Sequence, residues 1–362
     1  MEKVKKYVPI SALVMVVLLI ISVTVNIISI YSTVFSDFFN LKVAPFFRFI
    51  LAKVTGILPF SLAEILIILL PIIVGLLLFL TVRISRQDGI KKIRFVLTLI
   101  SVIAYIYVSF VFTFSTAYRV TRLEDNLGLE RGNISKEQLK SVSELLVNEL
   151  TPLTEQITYG EDKFSEMPYS FKELNELLND AYARLTEKYD FVSKLRSNVK
   201  KVMLSEPMTY THISGVYTFF TGEANVNVNF PDYTLPFTMA HEMAHQRGIA
   251  REDEANFVAF LVCLESSDSY IRYSAYLNMY EYIANSLYRA DKDMYKEVYM
   301  TLPDTIRAEL IAYSEFFDKY RDNVASDISD KVNDSYLVSQ GQTSGTRSYG
   351  LVTELAVAYL LN

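Results

Sequence analysis

The sequence predicts a mainly helical protein, with three N-terminal transmembrane helices followed by an external domain that is mostly helical and contains a small sheet. Three observations predict this architecture. The first third of the chain contains three apolar runs of membrane-spanning length, whereas the region from residue 116 onward has an ordinary globular composition with helical periodicity. One segment of that second region instead alternates with the period of a β-strand.

The apolar runs define the predicted membrane anchor. Residues 8–31 and 95–114 contain no charged side chain, and residues 62–82 carry only Glu64. Each run has about the 20 residues that a helix needs to cross the hydrocarbon layer. The first run is too long for a typical signal-peptide core and no small-x-small cleavage site follows it, which favours an uncleaved anchor. We therefore predict a three-helix anchor over residues 1–115 and an external domain over 116–362.

The distribution of Lys and Arg predicts the orientation of these helices. Eight lie before the first span or between the second and third: Lys3, Lys5, Lys6, Arg83, Arg86, Lys91, Lys92 and Arg94. Five lie in the segments on the other side: Lys42, Arg48, Lys53, Arg119 and Arg122. Because positive residues favour the cytoplasmic side, we expect a cytoplasmic N-terminus and an extracytoplasmic C-terminal domain.

Composition excludes some classes of protein. The formal net charge of −6 argues against a nucleic-acid partner. The single cysteine, Cys263, excludes an internal disulfide framework. The expected partners are therefore the lipid bilayer and the substrate of whatever site the external domain carries.

Helical periodicity dominates the external domain. Residues 135–153 have leucines and valine at helical spacing after Ser135, a candidate N-cap. Residues 170–195 form a second amphipathic pattern, and 269–325 predict further helices.

One segment, residues 215–233, is rich in β-formers. Asn225, Asn227 and Asn229 alternate with Val226 and Val228, which predicts a strand over 224–230 with one polar and one apolar face. An exposed edge of this strand could hold an extended peptide by strand addition, with Asn225 and Asn227 at the substrate. An interior strand with solvated asparagines fits the pattern equally well.

The strongest chemical signal is the stretch from His241 to His245, HEMAH, in a chain with three histidines. Residues four apart lie on one face of a helix, so His241 and His245 can direct ring nitrogens at one metal ion. Glu242 lies about 100° further around the helix, beside the ion, where a general base is needed.

A catalytic zinc site of this kind requires a third protein ligand. A metzincin would place a histidine at position 251, where this chain has Arg251, so that class is excluded. Gly248 is expected to end the histidine-bearing helix, and a new helix begins near Glu252. Glu254 is on its first turn and can point back at the histidines, and Glu252 and Asp253 are near enough to replace it. Alternatively these acids form a solvated first turn that favours the helix dipole.

Three stretches carry a family resemblance: FTGEANVN (220–227), residues 236–263, and SYGLVTELAVAYL (348–360). They resemble a bacterial family of membrane proteins regarded as zinc metallopeptidases and known as a domain of unknown function. The resemblance implies a gluzincin-type, zincin-like external domain with one zinc ion at His241, His245 and Glu254, and Glu242 as the catalytic residue. It also implies location in the bacterial cell membrane.

The chain departs from related peptidases at two positions. Arg247 stands where many zincins have an apolar residue, and Val258 stands where some gluzincins carry an aspartate that orients a zinc histidine. Another group must then orient the histidines. Asn256 and Asp253 are the candidates.

The expected function is zinc-dependent hydrolysis of peptide bonds outside the cytoplasmic membrane. A donor for the developing oxyanion is also required, and the late loop 341–350 offers Arg347 and Tyr349, although a structural role is favoured for Tyr349. The alternative is a catalytically inactive, membrane-anchored binding or sensor protein on a peptidase fold. The intact Glu242 argues against that alternative, because a purely structural metal does not need this acid.

Overall fold

A computed structural model describes residues 7–342 and 351–362 of the chain. The described part is mainly helical with one small sheet. By its internal contacts the chain forms two compact units. The first comprises the chain up to Val120 together with Thr218–Glu223, and the second comprises Thr121–Tyr217 and Ala224–Asn362.

The first unit contains the apolar helices. Its helical segments are Ile10–Tyr31, Thr33–Phe38, a π-helix at Phe39–Val43, Ala44–Gly56, Leu62–Ile68, Leu70–Ser85, Gly89–Thr113 and a 3₁₀-helix at Ser115–Arg119. Within the described residues two helices are individually long and apolar enough to cross a membrane, namely Ile10–Tyr31 and Gly89–Thr113. These two match the first and third predicted spans.

The second predicted span, 62–82, is not one straight helix. It is divided into Leu62–Ile68 and Leu70–Ser85, whose axes differ by 59°. Pro71 lies in the first turn of the second piece. Proline cannot donate a backbone hydrogen bond and its ring clashes with the carbonyl four residues earlier, which breaks a helix at this point. The described residues therefore contain two helices that could each cross a membrane, and three such segments if the bent pair counts as one.

The second unit is built from helices around one hydrophobic core. Its α-helices are Leu123–Leu127, Lys136–Leu153, Phe171–Lys188, Ser205–Thr209, Thr234–Gln246, Glu252–Leu264, Ser269–Ala290, Lys292–Tyr299, Asp304–Asp318, Val324–Ser339 and Val352–Leu360. Ser135 caps the helix that follows it, as predicted, in a reciprocal capping box with Gln138. Ser170 does the same with Glu173, but that helix ends at Lys188, earlier than the predicted 195.

Two of these helices lie at the centre of the core. In Thr234–Gln246, hereafter the histidine helix, every residue is buried. In Glu252–Leu264, hereafter the glutamate helix, every residue up to Cys263 is buried. The two pack against each other. Gly248 adopts a φ of +91° immediately after the histidine helix, which confirms the predicted helix end and reverses the chain toward the glutamate helix.

The sheet has three short strands, Lys200–Lys201, Gly215–Thr218 and Glu223–Val226. The last lies in the middle and runs parallel to the first, with Lys200 opposite Asn225. The predicted strand over 224–230 is therefore shorter than expected, and both of its edges are occupied by neighbouring strands. The expectation that it offers an exposed edge to a peptide is wrong.

The asparagines of this strand are also not solvated. Asn225 and Asn227 are 2% and 0% exposed. The side-chain nitrogen of Asn225 donates to the carbonyl of Val216 at 3.0 Å, and that of Asn227 donates to the carbonyl of Ile213 at 3.1 Å. A polar alternation thus marks a buried face whose side-chain nitrogens donate to backbone carbonyls.

The turn after the histidine helix supplies a test of the fold. Alanine at Gly248 would have to adopt a left-handed conformation that costs an L-residue about 1–2 kcal/mol. For a unit of this size, that cost corresponds to a fall in melting temperature of about 2–8 °C. Circular dichroism of the full-length protein in detergent measures it.

The matched control is Gly248→Asn, because asparagine tolerates the left-handed region better than alanine. We expect Asn to lower the melting temperature less than Ala does. Equal melting temperatures for Gly248→Ala and wild type would contradict the role assigned to this turn.

Candidate metal centre

Three side chains that can bind a metal ion converge between the histidine helix and the glutamate helix. The rings of His241 and His245 are nearly perpendicular, at 88°, with centroids 4.6 Å apart. Oε2 of Glu252 lies 3.3 Å from Nε2 of His241 and 3.5 Å from Nε2 of His245. All three residues are buried. Their ligand atoms lie within 4.8 Å of one another, close enough to hold one metal ion.

The spacing of these atoms fits a small tetrahedral ion. A zinc ion bound tetrahedrally at about 2.0–2.1 Å separates neighbouring ligand atoms by about 3.3–3.4 Å. The two distances from Glu252, 3.3 and 3.5 Å, lie close to this separation, and they also allow the carboxylate to accept hydrogen bonds from the two rings. Two imidazoles and one carboxylate are also a donor set that catalytic zinc uses, with a fourth position left for water or substrate.

The structure does not bring Glu254, the expected third ligand, to the histidines. Its Oε1 accepts a hydrogen bond from the backbone N–H of Leu123 at 3.2 Å and lies 3.8 Å from Nε of Arg251. Burial, reinforced by Asp253, raises the pKa of Glu254 to about 8. The glutamate helix begins at Glu252, so residue 254 lies about 200° further around the axis and faces away from residue 252.

Asp253, the other alternative, also points elsewhere. Its carboxylate is paired with the guanidinium of Arg131 at 2.7 Å. Arg131 lies 3.2 Å from Glu124 as well, so Asp253 belongs to a separate ion-pair network. Glu252 is therefore the acid that faces the two imidazoles.

A backbone carbonyl orients His245. Nδ1 of His245 lies 2.7 Å from the carbonyl oxygen of Ile249, just beyond the Gly248 turn. A ring that donates from Nδ1 keeps its Nε2 lone pair for a metal ion. The sequence could not reveal this partner, because a carbonyl belongs to every residue type. Nδ1 of His241 is buried and has no hydrogen-bond partner within the described chain.

The charges of the three groups compensate one another. Burial acts to lower the pKa of His245, but the carboxylate of Glu252 outweighs it and raises that pKa to about 9. Burial acts to raise the pKa of Glu252, but His245 and His241 outweigh it and hold that pKa far below its usual value. His245 and Glu252 thus stabilise each other's charged forms, and Glu252 stays negative near neutral pH.

Glu242 stands beside this group with a perturbed acidity. Burial raises the pKa of Glu242 to about 7, although the neighbouring His241 and His245 act to lower it. A carboxyl with a pKa near neutrality is suited to accept and return a proton. Its Oε2 is buried and makes no hydrogen bond to the described residues.

Gly215, for which the sequence gives no functional signal, packs directly against Glu242. A Cβ atom at position 215 would lie 2.5 Å from Oε1 and 2.6 Å from Cγ of Glu242. Such separations are far inside van der Waals contact. Only glycine can therefore occupy this position while the Glu242 side chain keeps its place.

Arg247, the departure from the apolar residue of related peptidases, fastens the end of the histidine helix. It is 1% exposed, donates from Nη1 to the carbonyl of Met243 at 3.0 Å, and lies 3.8 Å over the ring of Tyr182. The Tyr182 hydroxyl in turn donates to the carbonyl of Ala240 at 2.6 Å. Burial lowers the pKa of Arg247 to about 10, with Tyr182 opposing the shift. The arginine is thus a core residue held by carbonyls and an aromatic face.

The remaining predicted site residues are not part of this geometry. Arg347 and Tyr349, the expected oxyanion donors, lie outside the described residues. Asn225 and Asn227, the expected substrate-binding residues, hydrogen-bond to the backbone of the neighbouring strand region.

These observations describe a mainly helical protein with apolar helices that fit membrane association and with a buried His-His-Glu group. Residues 39–357 match the family described as "Protein of unknown function (DUF3810)", and the chain belongs to that family. Comparison with curated proteins and with solved structures finds no match. Membership of this family does not assign an activity to the chain.

The two glutamates of the glutamate helix give a matched test of the ligand set. Because Glu252 faces both imidazoles, we expect Glu252→Gln to weaken zinc binding by more than about 100-fold. This exceeds the loss of metal affinity expected when a residue that only hydrogen-bonds to a ligand is replaced. Glu254→Gln keeps an oxygen for the Leu123 N–H, and we expect wild-type zinc affinity. Chelator competition on the full-length protein in detergent measures both. Weak binding by Glu254→Gln with tight binding by Glu252→Gln would contradict this ligand set.

Proposed function

We propose that this protein is a membrane-anchored zinc-dependent peptidase that hydrolyses peptide bonds outside the cytoplasmic membrane. One zinc ion per chain is held by His241, His245 and Glu252. The observation that carries the proposal is the position of the Glu252 carboxylate, 3.3 and 3.5 Å from the two Nε2 atoms and close to the separation of neighbouring ligands on one zinc ion. The HExxH spacing supplies the neighbouring acid that a hydrolase requires.

Zinc in such a site supplies Lewis acidity, which activates water near neutral pH and polarises a carbonyl group. The chain's own residues do the rest. Glu242 takes a proton from the attacking water and later gives it to the leaving amine. Its pKa of about 7 suits both steps. The Ile249 carbonyl fixes the ring of His245, and Arg247 fixes the end of the helix that carries both histidines.

The proposed location follows from the apolar helices and from the positive residues that flank them. Ile10–Tyr31 and Gly89–Thr113 fit membrane association. The bias of Lys and Arg toward the N-terminus and the 83–94 loop favours a cytoplasmic N-terminus, so the region after residue 115 faces outward. Peptides or proteins of the cell envelope are then the substrates within reach.

One observation favours the second candidate function, a catalytically inactive binding or sensor protein with a structural metal. His241, Glu242, His245 and Glu252 are 9%, 4%, 6% and 8% exposed. Low exposure of these four side chains limits the approach of a peptide, which a structural ion tolerates and a catalytic ion does not. Against this candidate, Glu242 is an additional buried acid that is not needed to hold the ion.

The conservative variant Glu242→Gln separates the two functions. Gln has the size of Glu and cannot accept the water proton, so we expect one zinc per chain and a loss of peptide cleavage of at least about 100-fold. The full-length protein in detergent is incubated with a peptide library, products are identified by mass spectrometry, and zinc is measured by elemental analysis. Glu254→Gln is the matched control and retains cleavage.

Each outcome of this experiment decides between the candidates. Wild type without zinc, or equal cleavage by wild type and Glu242→Gln, rejects the peptidase. Zinc in both proteins with cleavage by neither favours the binding or sensor protein.

A further inference from the structure

The backbone around Gly215 is held by Asn225 of the middle strand and by Asn227, which follows that strand directly. Asn227 donates from Nδ2 to the carbonyl of Ile213 at 3.1 Å, and its backbone N–H donates to the carbonyl of Ser214 at 2.9 Å. Asn225 donates from Nδ2 to the carbonyl of Val216 at 3.0 Å. The carbonyl groups of residues 213 and 214, before Gly215, and of Val216, after it, therefore accept hydrogen bonds from these two asparagines.

Gly215 in turn lies directly against Glu242. The space that a Cβ atom would need is filled by Oε1, Cγ and Cδ of that side chain. Gly215 therefore limits the positions that the carboxylate can take on the side that faces this backbone.

We propose that Asn225 and Asn227 are positioning residues that hold Gly215 against Glu242 and thereby fix the carboxylate beside the metal. This inference rests on the proposed function, since it assigns the asparagines a role in the same reaction. The asparagines act through the backbone and do not touch the substrate. Their role differs from the substrate-binding role that the sequence predicts for them.

The chemistry of the asparagine side chains supports this assignment. A buried amide is costly unless it is hydrogen-bonded, so a valine would fill a buried strand at lower cost. Asn227 instead uses its amide fully: Nδ2 also donates to Oγ1 of Thr209 at 3.0 Å, and Oδ1 accepts from the N–H of Asn229 at 3.0 Å. The repeated Asn-x-Asn of this segment thus holds neighbouring loops in one arrangement next to Glu242.

Gly215→Ala tests the positioning role directly. The new methyl group displaces the Glu242 carboxylate while leaving His241, His245 and Glu252 in place. A misplacement of about 1 Å in a reacting group costs about 100-fold in rate, so we expect kcat to fall by about 100-fold. We expect one zinc per chain and a KM within a factor of about 3, since the substrate contacts are unchanged.

Gly132→Ala is the matched control, because no atom lies within 4 Å of its added Cβ. It keeps wild-type kcat. Asn225→Ala, which removes the hydrogen bond to Val216, lowers kcat with zinc and KM retained. Unchanged kcat in Gly215→Ala overturns the proposal, as does loss of zinc together with activity in Gly215→Ala and Asn225→Ala.

A thermal double-mutant cycle tests the contact without any activity. Because the added methyl group overlaps Glu242, Gly215→Ala should lower the melting temperature by about 2 °C or more. In a Glu242→Ala background the overlapping side chain is absent, so the same substitution should cause no fall. An equal fall in both backgrounds shows that Gly215 does not act through Glu242 and overturns the inference.

The two measurements distinguish failure of this inference from failure of the proposed function. A wild type that cleaves no peptide rejects the peptidase and with it the catalytic role of the asparagines, while the thermal cycle still decides whether Gly215 couples to Glu242. A wild type that cleaves, with a Gly215→Ala variant as active as Gly132→Ala, leaves the peptidase standing and rejects the positioning residues.

Discussion

The second unit depends on one interaction, the placement of the Glu252 carboxylate between two buried imidazoles. Burying an isolated carboxylate costs several kcal/mol, and only closely placed positive groups or an ion offset that cost. His241 and His245 supply this environment because the histidine helix and the glutamate helix are both buried and packed together. The Gly248 turn sets the approach of the two helices, so the candidate metal centre depends on the packing of the same core.

Part of this candidate metal centre could be predicted from the sequence, and part could not. The spacing of His241 and His245 places both rings on one face of a helix, whatever surrounds them. The third ligand depends instead on where the next helix begins, and a boundary that is uncertain by two residues rotates the choice by about 200°. Glu252 and Glu254 therefore could not be separated by pattern alone. The contact of His245 with the Ile249 carbonyl and the contact of Gly215 with Glu242 could not be predicted for a related reason. Both depend on where the backbone lies and not on the type of side chain.

In the fold as well, some features follow from the sequence pattern, whereas others depend on tertiary packing. Apolar length identified the helices Ile10–Tyr31 and Gly89–Thr113, because crossing a bilayer demands that length and composition. It did not reveal the bend at Pro71 within the second run. The alternation of Asn225 and Asn227 with valine correctly indicated a strand, but it could not show whether the polar face meets water or backbone carbonyls. Tertiary packing settled that question, and both amides are buried.

The identity and position of the ion are tested most directly by a crystal structure of the full-length protein grown with zinc, with anomalous diffraction recorded at the zinc edge. We expect one anomalous peak within about 2.2 Å of Nε2 of His241, Nε2 of His245 and Oε2 of Glu252, the range of zinc bonds to nitrogen and carboxylate oxygen. Glu254 should remain at the Leu123 N–H. An anomalous peak bound by Glu254 in place of Glu252, or no peak between the two helices, would contradict the metal centre described above.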